Sequence, residues 1–215
     1  MKKSIVILFI FLIPLISCDT IVYDNPLDPA SGNYVQPRTV VPKRVILNDF
    51  ENDDSTNVWG FQRSAYGERG GIITDSIVIS LTTDNPSNRV LQLDYDISDS
   101  LTSQVFWFEQ LGSTNPQRGN FNASAMGLNS LSFLARGSLG GEEFKVTLSS
   151  SGVNTSPSVG VSVTNQFEKY TITFNALVTG GVDLTSLTSL NFTIYSGVGP
   201  TSGIIFIDEI AFEWD

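Results

Sequence analysis

The sequence predicts an all-β fold, an antiparallel β-sandwich of two sheets, and three observations carry that expectation. From Arg44 onward, segments rich in Val, Ile, Thr and aromatic residues alternate with a period of two, as half-buried strands do. Clusters of Gly, Asn, Asp, Ser and Pro interrupt them at short intervals. Helical periodicity is nearly absent. Roughly ten or eleven such segments in one domain suit a two-sheet sandwich better than a small barrel.

The strands follow in order. Arg44–Phe50 opens the domain with Val45, Ile46 and Leu47, ahead of the acidic turn Asn52-Asp53-Asp54. Val58–Arg63 carries Trp59 and Phe61. Ile72–Ser80 and Arg89–Ile97 are aliphatic runs on either side of a polar cluster. In Gln104–Gln110, Phe106 and Phe108 share one face, leaving Trp107 beside Glu109 on the other. Ser130–Arg136 places Arg136 on the side of Ser132. Glu143–Ser149 sets Phe144, Val146 and Leu148 against Lys145, Thr147 and Ser149. Val159–Val163 is short. Lys169–Phe174 sets Tyr170, Ile172 and Phe174 against two threonines. Ser189–Tyr195 sets Leu190, Phe192 and Ile194 against Asn191, Thr193 and Tyr195, and Ile204–Trp214 closes the chain. Three strands with a hydroxyl-rich face imply an antiparallel sheet with one side in water.

Residues 1–18 read as an export signal: Lys2 and Lys3, an apolar run from Ile5 to Ile16, then Leu15-Ile16-Ser17-Cys18. The run is too short for a membrane-spanning helix. Its last four residues resemble the lipobox of bacterial lipoproteins, which implies that Cys18 is lipidated, the protein exported and the chain tied to a membrane of the cell envelope. Cys18 is the sole cysteine, so no disulfide competes for it. Residues 19–43 carry Pro26, Pro29, Pro37 and Pro42, which stiffen and extend a tether. Residues 44–215 form the sandwich domain.

Composition narrows the chemistry. The chain has 12 basic and 22 acidic residues, a net charge of −10, which argues against nucleic acid as partner. It has no histidine, so Ser-His-Asp and Cys-His catalysis and the usual zinc sites are excluded. Carboxylates, hydroxyls, aromatics and oxygen-liganded cations remain.

The opening Val45-Ile46-Leu47-Asn48-Asp49-Phe50-Glu51, followed by Trp59-Gly60, resembles the first strand of jelly-roll carbohydrate-binding modules. Met126 to Gly137 and the closing Gly203-Ile204-Ile205-Phe206-Ile207-Asp208-Glu209-Ile210-Ala211-Phe212-Glu213 resemble a middle and the last strand of such modules, in the same order. The nearest subgroup is the galactose-binding-like sandwiches, including the β-glucan-binding family 11 type. The resemblance implies a structural calcium ion between the first and last strands, with Asp49, Glu51 and Asp208 as the matching carboxylates. Alternation puts Asp208 on the side of Phe206, Ile210 and Phe212, hence toward the interior, where a carboxylate needs a cation or several donors. Capping of loop N–H groups is the other way to satisfy it.

Sugar rings stack on aromatic faces flanked by polar groups. The candidates are Trp59, Tyr66, Trp107 and Tyr195, with Glu109 and Arg136 as hydrogen-bonding partners; for each aromatic, core packing is the alternative. The expected function is non-catalytic binding of a polysaccharide or oligosaccharide, β-glucan-like, by an anchored lipoprotein. Two alternatives stand beside it. One is a surface adhesin or assembly factor that binds a protein partner. The other is a glycoside hydrolase or lyase using Glu109 with Glu142 or Glu143.

Overall fold

Alternation along the chain becomes two faces in space. The structure, a computed structural model, describes residues 44–51, 56–79, 88–112, 119–151, 157–178, 181–197 and 199–214. The export signal, Cys18, the tether and the acidic turn lie outside the described residues. The elements are β1 (Arg44–Asn48), β2 (Arg63–Glu68), β3 (Ile72–Ile79), β4 (Arg89–Asp96), β5 (Gln104–Gln110), β6 (Ser130–Gly137), β7 (Glu143–Ser150), β8 (Val159–Ser162), β9 (Glu168–Thr173), α1 (Phe174–Val178), β10 (Leu187–Tyr195) and β11 (Ser202–Glu213). One sheet runs β3-β4-β11-β6-β9 with β1 also paired to β11; the other runs β2-β5-β10-β7-β8. All the pairings between these strands are antiparallel.

The core lies between the sheets. Leu190, Phe192 and Ile194 of β10 and Phe144, Val146 and Leu148 of β7 are buried there, as their alternation predicts. Leu91, Leu93 and Tyr95 of β4 and Leu131 and Phe133 of β6 come from the opposite sheet. Burial of these apolar surfaces is the main force holding the sheets together.

Several expectations need correction. Trp107 is fully buried, not set in water: it lies opposite Phe192 in the β5–β10 register, with ring centroids 5.1 Å apart, and 6.0 Å from Phe50. Directly paired residues point to the same face, so the inward Phe192 carries Trp107 inward and turns Phe106 and Phe108 outward. The segment 58–63 is mostly not a strand. The Asn57 carboxamide oxygen accepts the N–H groups of Trp59 and Phe61, and Gly60 takes a positive φ of 76°, so the chain turns and β2 starts only at Arg63. β9 pairs with β6, so the three hydroxyl-rich strands do not share one sheet.

The last strand changes phase midway. Asp208 shares the outer side with Phe206, but the register shifts between Asp208 and Ala211, with Glu209 at φ 49°. The bulge inserts an extra residue and returns Ile210 and Phe212 to the core. Asp208 therefore does not share their side. Before the bulge β11 pairs with β4 along one edge; after it, β1 takes that place, with Arg44 opposite Glu213. Lys169 and Arg44 both form ion pairs with Glu213, at 2.8 and 3.2 Å.

Trp107→Ala removes a large side chain from this packing and is expected to cost about 3–5 kcal/mol of unfolding free energy. Tyr66→Ala, on the exposed face, is expected to cost about 1 kcal/mol or less. Denaturant unfolding of both variants checks the assignment; equal losses would contradict it.

Candidate functional site

The outer face of the five-stranded sheet gathers the aromatic and polar side chains that strand pairing brings together. Register defines its rows. Lys145, Thr193, Phe106 and Tyr66 lie side by side across β7, β10, β5 and β2, and Thr147, Asn191, Phe108 and Ser64 form the next row. With strands about 4.8 Å apart, each row spans roughly 14 Å. Tyr195, Gln104 and Glu68 form a further row beyond Phe106.

Tyr66 is 45% exposed and anchors an aromatic cluster. Its ring stacks on Phe106 with centroids 4.9 Å apart and an 18° interplanar angle, and meets Phe108 edge-on at 6.3 Å. Burial, and secondarily the Glu68 charge, push the Tyr66 hydroxyl above its ordinary pKa, so it remains a neutral donor and acceptor at physiological pH. Toward Tyr195 the face opens into a cleft of about 380 Å³, lined among others by Arg69, Gln104, Lys145, Thr147, Thr193 and Tyr195. The Lys145 ammonium lies 4.2 Å from the Tyr195 ring centroid, a cation–π contact. Gln104 donates from Nε2 to Glu68 at 2.8 Å.

Of the residues singled out from the sequence, the structure brings only Tyr66 and Tyr195 to this face. Trp107 and Glu109 are on the reverse side of β5, inside the sandwich. Glu109 faces Arg63 across the β2–β5 pairing and accepts a 2.6 Å hydrogen bond from Asn48 Nδ2. Arg136 is on the outer face of the other sheet, 3.9 Å above the Phe206 ring. Trp59 packs against Phe121 at 4.7 Å and joins the edge of the core. Phe106, Phe108 and Lys145, whose grouping by face the alternation does indicate, are not among the site candidates that the sequence offers. The signal for the first two was the inward set of β10 carried across its pairing with β5.

The carboxylate pair considered for hydrolysis is not assembled. Glu109 aligns with Leu190, and Leu190 with Leu148. Glu142 and Glu143 precede Leu148 by five or six residues, about 17–20 Å along a strand. A glycosidase pair stands within about 5–9.5 Å. Glu142 is buried, which raises its pKa, but the Leu139 N–H and Ser138 hydroxyl oppose this and hold it below the usual carboxylate range.

At the bulge, Asp208 is 3% exposed. One of its oxygens accepts Asn88 Nδ2 at 2.8 Å and the other the Glu209 N–H at 2.7 Å. Burial is the main cause that raises its pKa to about 6; the nearby Glu209 and Glu51 charges add to the rise, and these two donors oppose it. Glu51 accepts the Arg89 N–H at 3.2 Å, and Asp49 accepts the Glu51 N–H at 3.4 Å within its own turn. Asp208, Glu51 and the Asn88 carboxamide have the hard-oxygen chemistry of calcium ligands. Among the described residues, however, no three acidic, histidine or cysteine side chains form a metal-ligand group.

The jelly-roll fold is that of known carbohydrate-binding modules. The family 11 module from Clostridium thermocellum, solved in complex with a β-1,3-1,4-mixed-linked tetrasaccharide, is similar with a TM-score of 0.57 at 13% identity, over 79% of this chain and 95% of that one. The family 30 module of the cellulosomal cellulase Cel9D-Cel44B of the same organism gives 0.56 at 16% identity, over 80% and 98%. An exo-β-agarase gives 0.56 at 12% identity, over 79% of this chain and 24% of its own. At these identities the likeness is one of fold. No protein-family model and no curated protein matches the chain by sequence.

Asp208 sets a pH dependence whose sign follows from its raised pKa. In metal-free buffer the native state holds the Asp208 proton up to about pH 6, whereas the unfolded chain releases it near 3.8. The unfolded state thus binds fewer protons between these values, so this contribution to stability falls as pH rises from about 4 to 6, by about 1–3 kcal/mol. Unfolding of wild type and Asp208→Asn across that range checks it: the difference between the two curves should follow this fall, and parallel curves would contradict it.

Proposed function

We propose that this protein is an exported lipoprotein that binds carbohydrate without transforming it, on the outer face of the five-stranded sheet. The observation that carries the reading is the Tyr66–Phe106–Phe108 cluster set among Ser64, Asn191, Thr193 and Thr147. Apolar ring faces suit the C–H faces of a pyranose, and the surrounding amides and hydroxyls suit its hydroxyl groups. The fold shared with carbohydrate-binding modules supports the reading. The protein-partner alternative has less support, since the exposed large apolar side chains outside the aromatic cluster, Ile46, Val58, Ile72, Ile79, Leu101, Leu139 and Trp214, are distributed over β1, β3, three loops and the C-terminal end.

Anchoring belongs to the same reading. Acyl chains on Cys18 hold the domain at a membrane of the cell envelope, and the proline-rich tether spaces it from that surface. Calcium held by Asp49, Glu51 and Asp208 is proposed as a structural ion, supported by the burial of the Asp208 carboxylate beside Glu51.

Binding is tested with the full chain in detergent on a broad glycan array, followed by calorimetry on the best ligand. Tyr66→Ala and Phe106→Ala are each expected to weaken binding tenfold or more, about 1.4 kcal/mol, with the fold retained. Absence of any glycan ligand would overturn the reading.

Labelling with a palmitate analogue should mark wild type and leave Cys18→Ala unmarked; equal label removes the anchor. Chelator should lower the melting temperature of wild type but not of Asp208→Ala. Identical wild-type melts in chelator and in calcium remove the ion from the proposal.

A further inference from the structure

The chain carries 22 acidic against 12 basic residues, yet the charged side chains lining the cleft beside Tyr195 are both basic, Arg69 and Lys145. Among the described residues neither is within ion-pair distance of a carboxylate. Three acidic residues stand at the margins, one of them Asp99, whose carboxylate packs against Gly70. Glu68 is engaged by Gln104, and Glu143 lies on the same face of β7 two residues before Lys145. Two basic side chains and no acidic one lining a cleft, in a protein of net charge −10, are the opposite of what its composition would place there at random.

The placement of Arg69 adds a second observation. It occupies a central position of the β2–β3 turn with φ 53°, followed by Gly70 at φ 88°, while Gly71 N–H closes the turn onto Glu68 O at 2.9 Å. Two successive positive φ values favour Asn-Gly at such turns. An arginine held in that conformation is strained, and strain of this kind collects at functional positions. The Arg69 carbonyl oxygen accepts the Ser103 hydroxyl at 2.9 Å, which ties the turn to the opening of β5.

Lys145 supplies a third. Its ammonium occupies one face of the Tyr195 ring at 4.2 Å. A neutral sugar stacking on that face would have to displace a cation already favourably placed there. A sugar bearing an acid group gains a charge-assisted contact with Lys145 where it stands.

The geometry points to an anionic glycan as the ligand of this face, one carboxylate or sulfate met at Lys145 and another along the chain at Arg69, while a neighbouring ring stacks on the Tyr66–Phe106–Phe108 cluster. The inference rests on the carbohydrate-binding reading above and specifies its ligand chemistry. It departs from the neutral, β-glucan-like ligand expected from the sequence.

The test is affinity electrophoresis and calorimetry of the full chain in detergent against four polymers: polygalacturonate, a sulfated galactan, a neutral mixed-linkage β-glucan and poly-glutamate. The expected result is binding to one or both acidic glycans at least tenfold tighter than to the β-glucan, weakening as salt rises. The first two probes separate carboxylate from sulfate recognition. Lys145→Gln and Arg69→Asn, the latter a residue that fits the turn, should each lower acidic-glycan affinity several-fold and by more than they change any β-glucan affinity. Equal or tighter binding of the β-glucan, lost in Tyr66→Ala, would overturn the anionic ligand while the carbohydrate reading stands. No binding to any glycan overturns both. Binding to poly-glutamate as tight as to the acidic glycans, unaffected by Tyr66→Ala, would show simple ion exchange and overturn the proposal.

Discussion

The contact between Trp107 and Phe192 fixes the phase of β5, and the candidate site depends on that phase. A strand has two faces, and a residue on one excludes its neighbours from it. With Trp107 seated against Phe192 and Phe50, Phe106 and Phe108 have only the outer face left to them, where Tyr66 meets both. The same phase sends Glu109 inside. It is tolerated there because Asn48 donates to it and Arg63 is its cross-strand neighbour. Core and surface are thus two sides of one decision, and a single indole makes it.

How much of this was legible in the sequence depended on the contrast between alternate residues. In β7 and β10, aliphatic and aromatic side chains alternate with lysine, asparagine and hydroxyls, and the buried set was read correctly. In Phe106-Trp107-Phe108 all three residues are hydrophobic, so pattern alone could not choose the phase. The choice is made by β10, a strand some 85 residues away, through a pairing that no local reading contains. Trp59 and Phe61 gave residues 58–63 the composition of a strand, but the Asn57 carboxamide turns the chain there. The Asp208 bulge was hidden for a related reason: Glu209 adopts a left-handed conformation with no glycine to announce it. Sheet membership was not legible either, since β9 resembles β7 and β10 in pattern and differs only in its partner.

Charge divides the sandwich as hydrophobicity does. Around β11, Glu51, Asp208 and Glu209 lie close enough for Glu51 and Glu209 to push the Asp208 carboxyl upward, with Arg44 paired to Glu209 and Glu213 nearby. The cleft beside Tyr195 presents Lys145 and Arg69 instead. A net charge of −10 describes neither region, and a ligand meets the local field more than the average one.

The pairing of Arg44 with Glu213 has a consequence in time as well as in space. The first described strand completes its sheet only against the last, so the domain cannot close until nearly all of it is available. Pairings this distant in sequence are slow to form, because the loop between them must be ordered before the contacts reward it. For the export proposed above, such slowness is an advantage. A sandwich whose first described strand waits for its last keeps the chain open until its two ends have found each other.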